Sequence, residues 1–373
     1  MNSSVLIGNS ASLDYRAFNF SAGPSALPDS VMKKMQAELY NWQGLGLSVM
    51  EISHRSEEFR AVAEKAEADL RSLLSIPEHY AVLFLSGGAS FQFSQIPLNL
   101  LGEHDQADYL DTGLWSQKAI KEAYRYTNVN VVGSSRGAGY CSIPRQDEWS
   151  ISKYTAYLHY TANETVGGLE LSAVPEIDWI PLVADFSSSI LSRPIEVSRF
   201  GLIYAGAQKN IGPSGFTIVI IRQDLLDRAS KKCPALLNYK LMAEHKSMYN
   251  TPPTFSWYIA GLVFEWLQEK GGLAAIAAIN ERKQRLLYDY IDRSELYFNP
   301  IAPEYRSWMN VPFRLGDVRL DELFLAGAKE CGLLGLKGHQ SVGGMRASLY
   351  NAVTEQAVQA LVEYMSGFER SFG

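Results

Sequence analysis

Runs of apolar residues alternate with helix-like segments along most of the chain. Seven runs rich in β-branched and aromatic residues predict strands, at 80–85, 107–111, 128–132, 155–160, 180–185, 202–206 and 216–221. Several are apolar almost throughout, which is typical of strands buried on both faces. Amphipathic stretches at 31–42 and 56–75 predict helices, the second with Ser56 as its N-cap. The alternation indicates an α/β fold with βαβ units.

The pattern changes after residue 272. A long helix-like stretch, 273–291, leads into a C-terminal part of about a hundred residues, a usual size for a domain. We therefore predict a large domain over 27–275 and a smaller domain built from 1–26 and 276–373.

The net charge, the cysteines and the lack of long apolar runs argue against several classes of function. The chain has 373 residues, 47% hydrophobic, and a formal net charge of −6, which argues against a nucleic-acid partner. Its cysteines, Cys141, Cys233 and Cys331, are far apart and predict reduced thiols rather than a disulfide framework or a zinc site. We expect no metal, no membrane partner and a cytoplasmic protein, because neither a signal peptide nor an apolar run of about 18 residues is present.

The segment SGGASFQFS (86–94) directly follows a predicted strand and opens a helix-like stretch. Glycines between a strand and a helix let backbone N–H groups and the helix dipole face an anion. The alternative is an ordinary turn between strand and helix. No Gly-Lys-Ser/Thr follows, so the segment is not a Walker A loop.

Three further residues lie at predicted strand ends. Asp185 could face a ligand or cap a helix, and a lone Trp115 belongs more often to a core. Lys209, in YAGAQKNIGPSG (204–215), could bind phosphate, act as a covalent amine or be a surface lysine. Pyridoxal phosphate requires an anion site, a Schiff-base lysine, an acid at its pyridine nitrogen and a flat group on its ring. The chain offers all four, which favours the covalent role for Lys209.

Eight collinear segments resemble the phosphoserine aminotransferase family of class V pyridoxal-phosphate enzymes. They are FNFSAGPSALP (18–28), ISHRSEEF (52–59), GGASFQFSQIPLNLLG (87–102), HYTANETVGG (159–168), ADFSSS (184–189), YAGAQKNIGPSG (204–215), YNTPPTFSWY (249–258) and KGHQSVGGMRASLYNA (337–352). The resemblance implies an aspartate-aminotransferase-like fold of type I, with a mainly parallel seven-stranded sheet and a smaller α+β C-terminal domain. It also implies a homodimer whose active site is shared between subunits.

The family interconverts O-phospho-L-serine and 2-oxoglutarate with 3-phosphooxypyruvate and L-glutamate, in serine biosynthesis, with a side activity in pyridoxine biosynthesis. The resemblance assigns the cofactor to Lys209, Asp185, Trp115 and Thr165, and its phosphate to Gly88, Ala89, Ser90 and Gln208, with Asn250 and Thr251 of the partner subunit. It assigns the substrate to Arg346, His339 and the partner subunit's His54 and Arg55.

One position departs from the family pattern. Gln340 stands where an arginine is expected, which removes a charge from the predicted phosphate-binding group. This motivates an alternative hypothesis, a related aminotransferase whose amino donor is not phosphorylated. A third hypothesis, a non-catalytic phosphate- or nucleotide-binding protein, is disfavoured because a pure binder needs no Schiff-base lysine.

Overall fold

A computed structural model describes residues 16–373. Its strands are β1 (Phe18–Asn19), β2 (Tyr80–Ser86), β3 (Gln106–Asp111), β4 (Asn128–Ser134), β5 (Leu158–Thr161), β6 (Asn163–Glu164), β7 (Leu169–Glu170), β8 (Leu182–Asp185), β9 (Leu202–Gly206), β10 (Phe216–Arg222), β11 (Tyr297–Phe298), β12 (Asn310–Leu315), β13 (Leu333–Leu334) and β14 (Met345–Ser348). Its α-helices are α1 (Asp29–Glu38), α2 (Glu57–Leu74), α3 (Gln92–Leu100), α4 (Leu114–Ala123), α5 (Tyr239–Glu244), α6 (Thr254–Glu269), α7 (Gly272–Arg293), α8 (Asp321–Glu330) and α9 (Glu355–Phe372).

The seven predicted strands form one seven-stranded sheet in the order β2-β10-β9-β8-β5-β3-β4. Neighbouring strands from β9 to β4 are parallel, and β10 runs antiparallel to both β2 and β9. The predicted α/β fold with a mainly parallel sheet is confirmed. Because β8, β9 and β3 point the same way, their carboxyl ends meet along one edge of the sheet.

Helices cover both faces of this sheet. Along β9, Ile203 and Ala205 pack into a cluster with α2 and α6, whereas Leu202 and Tyr204 pack into a second cluster with α3 and α4. Successive side chains of a strand point to opposite faces, so a strand between two helical layers is apolar at nearly every position. Double-sided burial explains the continuous apolar runs in the sequence.

A third cluster lies in the C-terminal part of the chain. It joins α7, α8 and α9 to the three-stranded sheet β11-β12-β14 and includes Phe20 from the N-terminal segment. The domain boundary placed at 275–276 falls in the first turn of α7 and stays a prediction. The part of the predicted small domain at 1–15 lies outside the described residues.

The helix predicted over 31–42 is α1, which begins at Asp29 and ends at Glu38. After α1 the chain enters a short turn in which Gln43 has φ 51° and Trp42 is buried against Tyr258. The helix predicted at 56–75 is α2, and Ser56 caps it by accepting the N–H of Phe59. Between residues 16 and 373 no helix is both long and apolar enough to cross a membrane.

Candidate active site

A cavity opens at the edge where the carboxyl ends of the parallel strands meet. Eight of the predicted site residues line it together: Gly88, Ala89, Ser90, Trp115, Thr165, Asp185, Gln208 and Lys209. Phe93, Asn163, Ser187 and Ser188 complete the wall. Residues far apart in sequence thus converge where α/β sheets place their ligands.

Lys209 lies in the loop between β9 and β10 and lines this cavity. The loop is tight, because the N–H groups of Lys209 and Gly212 both donate to the carbonyl oxygen of Ala207, each at 2.8 Å. The Lys209 Nζ donates to Thr165 Oγ1 at 2.7 Å. Burial lowers the pKa of Lys209 to about 8, although the charge of Asp185 opposes this shift. The amine is therefore neutral in a larger fraction than an ordinary lysine at neutral pH.

Asp185 ends β8 and is buried beside Lys209. Burial raises the pKa of its carboxyl group, while the N–H of Ser187, 2.8 Å from Oδ1, and the charge of Lys209 favour the ionised form. The Tyr204 hydroxyl also hydrogen-bonds to Asp185 and lies 2.9 Å from Nε2 of His159. These groups hold the carboxylate in one orientation toward the cavity.

The glycine segment forms the turn from β2 into a short helical turn, 89–91, that leads to α3. Gly87 has φ +98°, and a Cβ there would lie 2.9 Å from the ring of Phe91, so the turn requires glycine. At Gly206 a Cβ would lie 2.7 Å from Gln208 Oε1 and 3.3 Å from Ala89. The backbone therefore leaves a concave surface at a helix start, which suits an anion.

Trp115 lies in the first turn of α4, with its ring centroid 5.8 Å from Lys209 Nζ. The buried Glu164 accepts the backbone N–H of Trp115 at 2.9 Å and of Ser116 at 2.8 Å. Burial raises the pKa of Glu164 to about 7, although the same N–H groups stabilise its ionised form. The carboxyl group of Glu164, on β6, thus positions Trp115 on α4.

Arg346 on β14 approaches the cavity from the C-terminal part of the chain. Its Nη1 donates to the carbonyl oxygen of Thr165 at 3.4 Å, and its Nε is buried with no hydrogen-bond partner in the described chain. Its charge lowers the pKa of Lys209, after the larger effect of burial. A guanidinium with an unused donor beside the amine is suited to a carboxylate ligand.

Besides Arg346, five predicted residues do not line the Lys209 cavity. His54 and Arg55 lie in a separate cavity with Glu64, His245 and Trp257. Asn250 and Thr251 are exposed after α5, and His339 lies in the loop before β14, where its Nδ1 is 2.7 Å from Ser341 Oγ. None of these five lines the Lys209 cavity of its own chain, and their assigned roles stay predictions.

Sequence reasoning missed Phe93, Asn163, Ser187 and Ser188 in the cavity wall, and it also missed residues that support the wall from behind. Glu164 lies in the quoted segment HYTANETVGG but received no role, and Ser25 was also overlooked, although its Oγ donates to the carbonyl oxygen of Lys209 at 2.7 Å. A carboxylate between a strand and Thr165 was the available signal for Glu164. For Ser25 the only signal was its place in FNFSAGPSALP.

Known proteins match this chain over nearly its whole length. The family model for class-V aminotransferases matches residues 17–361. The phosphoserine aminotransferase of Pseudomonas fluorescens is 64% identical over 358 residues, 96% of this chain and 99% of the relative, and that of Azotobacter vinelandii is 63% identical over the same shares.

Solved structures agree with these relatives. The phosphoserine aminotransferase from Bacillus circulans subsp. alkalophilus matches with a TM-score of 0.94 and 45% identity, over 96% of this chain and 99% of that one. The pyridoxal-phosphate-bound enzyme from Trichomonas vaginalis matches with a TM-score of 0.91 and 44% identity, over 94% and 100%. The chain belongs to the class-V aminotransferase family and, within it, to the phosphoserine aminotransferases.

Proposed function

We propose that the Lys209 cavity is where this chain transfers an amino group between O-phospho-L-serine and 2-oxoglutarate, forming 3-phosphooxypyruvate and L-glutamate. The chain is a pyridoxal-phosphate-dependent transaminase that acts in serine biosynthesis, as its family and relatives indicate. The observation that carries the placement is a buried amine of lowered pKa beside a buried carboxylate.

The residues of the cavity fit pyridoxal phosphate. The concave turn at Gly87 and Gly88 with the Ser90 hydroxyl suits its phosphate, and Asp185 is a carboxylate suited to a protonated pyridine nitrogen. The indole nitrogen of Trp115 is buried without a hydrogen-bond partner in the described chain. When bound, the cofactor supplies an electron-accepting ring that stabilises negative charge at the substrate α-carbon.

The chain's own groups then bind, orient and move protons. A neutral Lys209 amine can form the covalent attachment and can hold the proton removed from the α-carbon. Thr165 fixes this amine through the 2.7 Å hydrogen bond. The N–H of Ser187 holds the carboxylate of Asp185 in place. When ionised, this carboxylate stabilises a positive charge at its end of the cavity. The planar fork of Arg346 offers two donors to a substrate α-carboxylate.

We infer that four of the remaining predicted residues act from a second subunit. His54 and Arg55 are away from Lys209, and Asn250 and Thr251 are exposed. A homodimer would bring His54, Arg55, Asn250 and Thr251 of the partner subunit to the cavity, where they would meet the phosphate groups of substrate and cofactor. We propose this arrangement and a cytoplasmic location, with no nucleic-acid partner. The partners are then small molecules and a second copy of the chain.

Gln340 is the residue on which the substrate assignment depends most. Lys337, which could replace the missing charge, pairs at 3.1 Å with Glu322, and both side chains are largely exposed. Exposed pairs are weak, so Lys337 is available to a substrate phosphate at little cost. Relatives at 61–64% identity are phosphoserine aminotransferases, which does not favour a non-phosphorylated donor for this chain.

Steady-state kinetics test the proposal. Rates on phosphoserine are compared with those on serine, alanine and aspartate, and we expect a clear preference for phosphoserine. Gln340→Arg should lower KM for phosphoserine by up to about tenfold, because a charged donor is added. Gln340→Met, similar in length without a donor, is the control. A preference for an unphosphorylated amino acid contradicts the proposal, and an unchanged KM in Gln340→Arg shows that position 340 does not contact the phosphate.

A further inference from the structure

The first turn of α4 lacks a side-chain cap of its own. Its N-cap position is Gly113, so the exposed N–H groups of the turn need acceptors from elsewhere. Ser116 Oγ accepts the N–H groups of Thr112 and Gly113, each at 2.9 Å. The N–H groups of Leu114, Trp115 and Ser116 are left, and those of Trp115 and Ser116 point to a residue 48 positions beyond Ser116.

Glu164 on β6 supplies the missing acceptors. One carboxylate oxygen accepts from Trp115 and the other from Ser116, so the contact is bidentate and fixes both distance and angle. The fit against Gly113 is close, because a Cβ there would lie 2.7 Å from Glu164 Cδ. The carboxylate and the α4 backbone therefore have little freedom to move relative to each other.

The next residue along the chain connects this contact to the amine. Thr165 accepts the hydrogen bond of Lys209 Nζ at 2.7 Å. Glu164 holds the backbone of Trp115, whose ring lies 5.8 Å from the same Nζ. Two neighbouring residues of one segment thus set the positions of the indole and of the amine.

We propose that Glu164 is a positioning residue that holds the indole of Trp115 at a fixed distance and tilt relative to Lys209. The inference rests on the proposed binding of pyridoxal phosphate beside Trp115. Glu164 contacts the backbone of Trp115, so it acts on the ring through α4. Its effect is to orient the bound cofactor.

Glu170 offers a matched control within the same hairpin. Glu164 is 1% exposed and Glu170 is 2% exposed, and Glu170 pairs with Asn163 across the two strands. Glu170 forms an ion pair with Arg193 and accepts the N–H of Trp308 at 2.8 Å. Both side chains are buried and accept hydrogen bonds from backbone N–H groups. Glu164 accepts them from α4, whereas Glu170 accepts one from Trp308.

The test uses holoprotein and reads the bound cofactor. In Glu164→Gln one oxygen is replaced by an NH2 group, which cannot accept the second backbone N–H. We expect altered visible circular dichroism of bound pyridoxal phosphate and a rise of about tenfold in its dissociation constant. Glu170→Gln should lower thermal stability but leave the visible spectrum unchanged. In a Trp115→Phe background, Glu164→Gln should add no further spectral change.

The outcomes distinguish the binding of pyridoxal phosphate in the Lys209 cavity from the positioning role of Glu164. If unmodified protein shows no visible signal with pyridoxal phosphate, the cofactor placement itself is wrong. If unmodified protein shows the signal and Glu164→Gln matches it in spectrum and dissociation constant, the positioning role alone is overturned. If Glu164→Gln does not fold, Glu164→Asp carries the same test, since it keeps the charge but shortens the reach. An unaltered spectrum in Glu164→Asp together with unaltered cofactor affinity would then overturn the inference.

Discussion

Two buried lysines in this chain occupy regions with opposite properties. Burial lowers the pKa of Lys209 to about 8 and that of Lys283, on α7, to about 7. Lys283 donates to the carbonyl oxygens of Leu349, Tyr350 and Val353 at 2.9, 3.0 and 2.9 Å. Three acceptors match the three N–H groups of an ammonium ion, so all donors of Lys283 are used.

Lys209 donates to one side-chain oxygen, Thr165 Oγ1, and faces a cavity. Its remaining hydrogen-bonding capacity is available to a ligand. A lowered pKa does not by itself mark a reactive lysine, because burial lowers the pKa of Lys283 as well as that of Lys209. Access and unused donors distinguish the reactive site from the structural one.

The largest expected effect is the loss of turnover in Lys209→Ala. The variant should lose transamination by about a thousandfold or more, because the covalent amine and the base are removed together. Far-ultraviolet circular dichroism should remain that of the unmodified protein. Lys283→Met should retain measurable turnover in the same assay. A Lys209→Ala variant that turns over phosphoserine at the normal rate would exclude the covalent role.

The next effect is on stability. Lys283→Met removes a donor from three buried carbonyl groups, of which that of Tyr350 keeps the N–H of Val353. It should lower the free energy of unfolding by about 3 kcal/mol. Urea denaturation followed by circular dichroism measures the change. Lys329→Met, on the exposed side of α8, is the control and should stay within about 0.5 kcal/mol. Equal stability of the two variants would show that the Lys283 contacts contribute nothing.

The smallest effect concerns pH. Only the neutral amine of Lys209 attacks an aldehyde, so cofactor uptake by cofactor-free protein should quicken as pH rises and level off above about 8. The measurement is the rate of increase in visible absorbance between about pH 6 and 11.5. This range brackets the lowered pKa of about 8 and the ordinary lysine pKa of about 10.4. A midpoint near 10, the value of an ordinary lysine, would contradict a lowered pKa. Lys283 should stay unmodified throughout, because it is fully buried.

Much of the fold could be predicted from sequence. Each apolar run became a strand of the seven-stranded sheet, because burial on both faces leaves a continuous apolar signal. The antiparallel direction of β10 could not be predicted from the sequence, since an antiparallel strand inside a buried sheet has the same composition as a parallel one.

Only part of the functional site could be predicted from the sequence. Lys209, Asp185 and Trp115 follow strands, and strand ends converge by topology, so their meeting in one cavity could be foreseen. The function of Glu164 depends on a contact with α4 across 48 residues, which no local pattern encodes. Lys283 looks like a solvent-facing lysine of a charged helix segment, NERKQR, and its burial is visible only after α7 packs.

Mass spectrometry after borohydride reduction tests the central assignment most directly. Borohydride makes the bond between a lysine amine and pyridoxal phosphate permanent, and digestion then locates it. We expect one cofactor equivalent on the peptide that contains Lys209 and none on the peptide that contains Lys283. Attachment at Lys283 or at any other lysine, or no attachment at all, would contradict it.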